Sequence, residues 1–260
     1  MRLYRPKSQI PSPIIVDLHG GAWNTGDLSD CQTRDEVFVK SGFAVAALNF
    51  RHGTNGYPKS LQDINFAIRW LKKNARELSL DPKRVALSGQ SSGGHLAALT
   101  AMRPNDVRYA EIKINSKIVL DATVACAALQ WPVINPLSRY HHALRSLSDP
   151  KTASWVGSIP DFHKIFWQNE NAMAEGNPML ALERGEKVET PPMCWLQGEP
   201  DIVHDYHDPK SDGNINEPER FARYYRNAGG KFEIIRVKQS VRSQPESFES
   251  LVTFYKKYLT

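Results

Sequence analysis

Short apolar runs and amphipathic stretches alternate along the chain. Ile14-Ile15-Val16-Asp17-Leu18 is an apolar run broken by a single acid, and it ends at Gly20-Gly21. That pattern reads as a buried strand entering a tight turn. Thr33 to Ser41 reads as a helix and Phe43 to Leu48 as the next strand. After Pro58, the residues Leu61, Ile64, Ala67, Ile68 and Leu71 recur at the spacing of one helix face. Val85 to Ser88 predicts a strand, and His95 to Met102 lies on the helix behind it. Lys117 to Leu129 carries a strand-like apolar run, and Met193 to Gln197 carries another. Phe221 to Ala228 reads as a helix stopped by Gly229-Gly230. Phe232 to Val237 alternates as a strand, and Phe248 to Leu259 closes the chain as a helix.

Strands alternating with helices predict an α/β fold, a mostly parallel sheet covered by helices on both faces. One domain spanning 1–260 accommodates this pattern. From about residue 131 to 176 the rhythm breaks, and the stretch is rich in Pro, His and rings: Trp131, Tyr140, Trp155, Phe162, Phe166 and Trp167. It reads as a small lid that leaves the sheet and folds over one end. Its aromatics either pack a core of the excursion's own or line a pocket for an apolar or planar group.

Composition narrows the class without naming an activity. With 41% hydrophobic and 23% charged residues, the chain is an ordinary globular protein. No apolar run approaches the roughly 20 residues of a membrane span, so no membrane partner is expected. The balance of 33 basic and 28 acidic residues gives +5, spread without any block of like charge. A solvated surface follows, and nucleic acid is not an expected partner. Cys31, Cys126 and Cys194 are scattered and odd in number, which supports neither a disulfide framework nor a metal site. The opening MRLYRPKSQI lacks the apolar core of a signal peptide, so the expected location is cytoplasmic.

Two motifs carry chemistry. Gly89-Gln90-Ser91-Ser92-Gly93 follows the strand Val85 to Ser88 and precedes a helix. G-x-S-x-G in that context is a nucleophile elbow, a turn too tight for a Cβ at either glycine, which leaves the Ser91 hydroxyl exposed at a helix N-terminus. His19-Gly20-Gly21-Ala22-Trp23 follows another buried strand. A glycine pair there frees backbone N–H groups, and acyl transfer needs such donors for its oxyanion, each worth about 3–4 kcal/mol of barrier. Gly20, Gly21 and Ser92 are the expected donors, and His19 is expected to be a buried hydrogen-bonding post.

Together these residues resemble the α/β-hydrolase fold, and within it the carboxylesterase group containing hormone-sensitive-lipase-like and feruloyl or acetyl-xylan esterases. The likeness runs through Asp63, Ala67, Trp70-Leu71, Asp81 to Val85 and Gly89 to Leu96. It resumes at Pro191-Pro192, Gln197-Gly198-Glu199-Pro200-Asp201 and Phe221 to Gly230. It implies a small-molecule ester substrate, a serine nucleophile, no cofactor, and an acid three residues past a glycine, which is Asp201. His95 also matches the group and is expected to be structural. Homodimers are common among such esterases.

The resemblance further implies a catalytic histidine after the last strand, typically within Pro-Gly-x-x-His. Here that region reads Val237-Lys238-Gln239-Ser240-Val241-Arg242-Ser243-Gln244-Pro245-Glu246, with Arg242 about where the histidine belongs. The last histidine of the chain is His207. Guanidinium cannot act as a base at neutral pH. The expected substitute is His204, three residues after Asp201, its imidazole oriented by Asp201 directly or together with Asp205. A lid histidine (His141, His142 or His163) is a second option. Absence of any base, leaving a ligand-binding protein on a hydrolase scaffold, is the third. The expected activity is hydrolysis of a small or short-acyl carboxylic ester through an acyl-enzyme, with amide and lactone hydrolysis as alternatives.

Overall fold

A computed structural model describes residues 1–211 and 213–260. Seven strands form one sheet: β1 (Arg2–Tyr4), β2 (Ser12–Leu18), β3 (Ala44–Leu48), β4 (Leu80–Gln90), β5 (Cys126–Gln130), β6 (Met193–Glu199) and β7 (Phe232–Lys238). Their spatial order is β1-β3-β2-β4-β5-β6-β7. Every pairing is parallel except β1 with β3.

The helices are α1 (Gln32–Lys40), α2 (Lys59–Lys73), α3 (Ser92–Met102), α4 (Pro136–Leu147), α5 (Ile159–Trp167), α6 (Glu170–Glu175), α7 (Pro178–Glu183), α8 (Glu217–Asn227) and α9 (Pro245–Leu259). Side chains alternate across the sheet, so each strand feeds two cores. Ile14, Val16 and Leu18 of β2 join Leu61 and Ile68 of α2, Leu96 and Leu99 of α3, and Phe221 of α8. Ile15 joins Phe38 of α1 and Leu251 and Tyr255 of α9 on the opposite face.

The chain goes from β2 outward to β3, then crosses back to place β4 on the other side of β2. At such a switch point the connections leave to opposite faces, and the C-terminal ends of the two strands open a crevice. The turns after β2 and β4 are the two motifs identified above, so the topology sets them side by side.

The structure corrects one expectation about the elements and adds two details. The apolar run from Lys117 is strand only from Cys126 onward, and Ile118 and Val119 are exposed at 69% and 97%. Asp121 explains the interruption: it accepts the Thr123 N–H at 2.9 Å and the Lys72 ammonium at 2.7 Å, holding the backbone in a turn. The edge strand β1 is too short to announce itself by periodicity. The excursion is helical, built from α4 to α7, and its rings do not form a separate core. Phe166 and Trp167 pack on Trp23, with ring centroids 5.7 and 5.6 Å away, and Trp167 also stacks on Tyr57 at 5.0 Å. The excursion is thereby fastened to the loops that carry Trp23 and Tyr57. Among the described residues, no helix is long and apolar enough to cross a membrane.

Candidate active site

Ser91 lies between β4 and α3 with φ 51° and ψ −117°. A non-glycine residue at positive φ is held there only if its surroundings impose it. Here the Ser91 N–H donates to the Gln130 carbonyl at 2.9 Å, and the Ser91 carbonyl accepts from the Val133 N–H at 3.0 Å. The flanking glycines explain the motif in steric terms. A Cβ on Gly89 would collide with the Gly93 carbonyl, and a Cβ on Gly93 would collide with the carbonyl oxygens of His19 and Leu18. The second contact presses the first turn of α3 against the loop after β2. Ser92 precedes Gly93 on that turn, and Gly20-Gly21 directly follow His19. Among the described residues, no acceptor is bonded to the N–H of Gly20, Gly21 or Ser92.

His204 completes a continuous chain of side chains. Its Nε2 lies 3.1 Å from Ser91 Oγ, and its Nδ1 lies 2.9 Å from Asp201 Oδ2. An ionised carboxylate only accepts, so Nδ1 carries the proton and Nε2 presents a lone pair to the serine hydroxyl. The short separation between the acid and the base in sequence works because their loop is a tight turn. Asp201 Oδ1 accepts from the backbone N–H of Val203 at 3.0 Å and of His204 at 3.2 Å, and its carbonyl accepts from Asp205 N–H at 2.9 Å. The excursion braces this turn: Arg139 of α4 donates to the Val203 carbonyl at 2.7 Å.

Electrostatics polarise the pair. Burial alone would raise the Asp201 carboxyl, but the hydrogen bond and charge of His204, with the Arg242 guanidinium, hold it well below the usual carboxylate range. Burial pushes the His204 imidazole below its ordinary value of 6.5, against the opposing pull of Asp201 and with help from Arg139 and Arg242. The imidazole is therefore neutral at pH 7 and able to accept a proton.

The remaining histidines stand elsewhere. His95 is buried, with Nε2 donating to the Gly176 carbonyl at 2.8 Å and Nδ1 accepting from Trp23 Nε1 at 3.2 Å. His19 stacks on Phe50 and bonds the Gly20 carbonyl. His141 pairs with Glu170, His142 bonds the Ile202 carbonyl, and His163 bonds the Ile159 carbonyl. Asp205 does not orient the imidazole as one expectation had it. It accepts from Asn216 and Arg236, pointing to the far side of the turn.

Sequence reasoning missed two supports of the site. Arg242 donates to Asp201 Oδ2 at 2.7 Å. Beneath the elbow, Arg34 of α1 grips both Asp17 oxygens at 2.9 and 3.0 Å and donates to Gln90 Oε1 at 2.7 Å. Burial and the neighbouring Asp17 push Asp35 up to about 9, so it stays a neutral acid in this buried cluster. The one signal for it was Asp17, an acid inside an otherwise apolar strand.

Comparison with known proteins places the chain in a family. The BD-FAE family model matches residues 1–210, most of the chain. The chain belongs to the BD-FAE family. That BD-FAE match includes Ser91, Asp201 and His204 and ends before Arg242. Carboxylesterase NlhH of Mycobacterium tuberculosis is 29% identical over 224 residues, covering 75% of this chain and 66% of that protein. Esterase LipI of the same organism is 31% identical over 112 residues, covering 41% and 35%. The chain spans between 23% and 66% of the length of the curated relatives it matches. Among solved structures, a hyperthermophilic esterase from Pyrobaculum calidifontis superposes with TM-score 0.74 at 20% identity, covering 98% of this chain and 80% of that one. A thermostable esterase from Pseudomonas putida ECU1011 gives 0.75 at 20% identity, covering 99% and 78%. This BD-FAE protein has the α/β-hydrolase fold.

Proposed function

We propose that the protein is a serine carboxylic-ester hydrolase that turns over a small or short-acyl ester through an acyl-enzyme. The observation that carries this reading is the unbroken line from Ser91 Oγ through the His204 imidazole to Asp201. His204 Nε2 takes the Ser91 proton as Oγ attacks the acyl carbon, and the N–H groups of Gly20, Gly21 and Ser92 receive the oxyanion. The imidazolium, steadied by Asp201, returns the proton to the leaving alcohol. Water then attacks the acyl-enzyme by the same route in reverse. No metal or cofactor enters any step.

The imidazole beside Ser91 speaks against a ligand-binding homologue lacking a base. The names of the relatives, carboxylesterase and esterase, favour an ester over an amide or a lactone. The bulk of the lid favours a small acyl group. Three free, buried cysteines suit a reducing compartment such as the cytoplasm.

Fluorophosphonate labelling tests the reading without knowledge of the substrate. Fast labelling of the wild type, lost in Ser91→Ala and slowed at least 100-fold in His204→Ala, is expected. A panel of acyl esters should show turnover that Ser91→Ala abolishes. A folded wild type that neither labels nor turns over any ester overturns the proposal.

A further inference from the structure

Arg242 occupies the region where the resemblance places a histidine, yet it is built into the site with care. It follows β7 and a single helical turn at Gln239–Val241. Its guanidinium lies over the Trp131 ring, 4.5 Å from the centroid, and also reaches Gln239 Oε1 at 3.2 Å. Gly198 makes room for this arm, since a Cβ there would collide with Gln239 Oε1 and crowd Arg242 Cδ. The arm ends at Asp201 Oδ2, the same oxygen that accepts the His204 Nδ1–H. The Gln197 side-chain amide adds a longer contact to that oxygen at 3.3 Å. Among the described residues, Asp201 Oδ1 is held only by backbone N–H groups of its own turn.

We infer that Arg242 is a positioning residue that locks the Asp201 carboxylate from outside its loop and shares Oδ2 with the His204 imidazole. The inference rests on the catalytic reading of Ser91, His204 and Asp201 given above. Two consequences follow from placing a fixed cation on that oxygen. Asp201 cannot rotate its carboxylate away from the imidazole, which keeps Nε2 aimed at Ser91. The cation also takes up part of the negative charge that would stabilise the imidazolium, so the base stays neutral to lower pH. The other charged or titratable groups around His204 are Asp201 itself, Arg139 of α4, and Tyr206 and Glu217 across a small cavity. None of these changes when Arg242 is replaced.

The sign is fixed by which form of His204 works. Only neutral imidazole accepts the serine proton, so activity is lost as pH falls through the His204 midpoint. Removing the cation in Arg242→Gln raises that midpoint and moves the acidic limb of kcat/KM to higher pH. Looser alignment lowers kcat by about 10- to 100-fold with KM little changed. Arg242→Lys keeps the charge and loses the fork, so its midpoint should stay near the wild-type value while kcat falls. The midpoint is read directly by titrating the His204 ring proton by NMR, assigned with His204→Asn, alongside the pH profile.

An Arg242→Gln variant with wild-type midpoint and wild-type kcat overturns the inference. If Arg242→Gln does not fold, Arg242→Lys decides alone: retained midpoint with lowered kcat supports the role, and both unchanged overturns it. A folded wild type without turnover, whose His204 midpoint still moves in Arg242→Gln, discards the catalytic reading and leaves the coupling of Arg242 to His204 intact.

Discussion

The two halves of the site are built on different principles. Ser91, Ser92 and the Gly20-Gly21 pair are placed mainly by backbone geometry, at the ends of the central strands β2 and β4. Steric contact fixes them: the elbow closes only because Gly89 and Gly93 carry no side chain. Asp201 and His204 sit instead on a turn beyond β6, and side-chain and turn hydrogen bonds hold them. The difference teaches where each half is vulnerable. Disturbing the first should damage fold and function together, whereas disturbing the second should separate them.

After loss of the Ser91 nucleophile itself, the largest effect on activity is expected in the second half. Asp201→Asn preserves shape but sets an NH2 group either at Oδ2, facing the donors of His204 and Arg242, or at Oδ1, facing the backbone N–H groups of Val203 and His204 that hold the turn. The imidazole then loses its enforced tautomer, and kcat should fall by about 1,000- to 10,000-fold. The apparent unfolding temperature should change much less than activity, since only a few hydrogen bonds are affected. A variant that keeps a tenth or more of wild-type kcat would break the assignment of Asp201.

The first half sharpens the contrast through Gly93→Ala. The added methyl group must push against the carbonyl oxygens of His19 and Leu18, which belong to a central strand and its turn. Such overpacking costs about 1–3 kcal/mol. For a chain of this size that lowers the unfolding temperature by about 2–12 °C. Activity should fall with it, because the same movement carries Ser92 away from the Gly20-Gly21 loop. Differential scanning calorimetry with parallel kinetics reads both quantities. Lost stability with full activity, or the reverse, would dissolve the distinction between the halves.

The same contrast explains what the sequence disclosed. Tight backbone geometry demands glycine, so Gly89, Gly93 and Gly20-Gly21 wrote the elbow and its partner loop into the chain. Parallel strands buried on both faces wrote the sheet as apolar runs, apart from three-residue β1 and the turn set by Asp121. The Asp201–His204 pair was legible as a candidate because both residues lie in one short turn. Its juxtaposition with Ser91, 113 positions away, comes from the order of strands and not from spacing. Arg242 left no local pattern, and the Arg34–Asp17–Gln90 contacts left only Asp17, an acid inside an apolar strand. A lone arginine reads as surface until tertiary structure buries its partner.

The smallest expected effect concerns Asp205, the acid that sequence reasoning placed beside the imidazole. Its Oδ1 accepts from Asn216 at 2.7 Å and its Oδ2 accepts from Arg236 at 3.3 Å, a cation that also pairs with Glu199 and Glu219. Burial raises the Asp205 carboxyl, with the nearby Asp201 charge adding to the rise. Asp205→Asn removes a charge close to Asp201 but no bond to His204. It should change kcat by less than about twofold and stability by about 0.5 kcal/mol or less, as for a partly exposed ion pair. Set beside Asp201→Asn, it compares two carboxylates four positions apart on one turn, only one of which faces the base. A loss with Asp205→Asn approaching that of Asp201→Asn would mean that the turn as a whole, and not the bond to His204 Nδ1, governs the reactivity of Ser91.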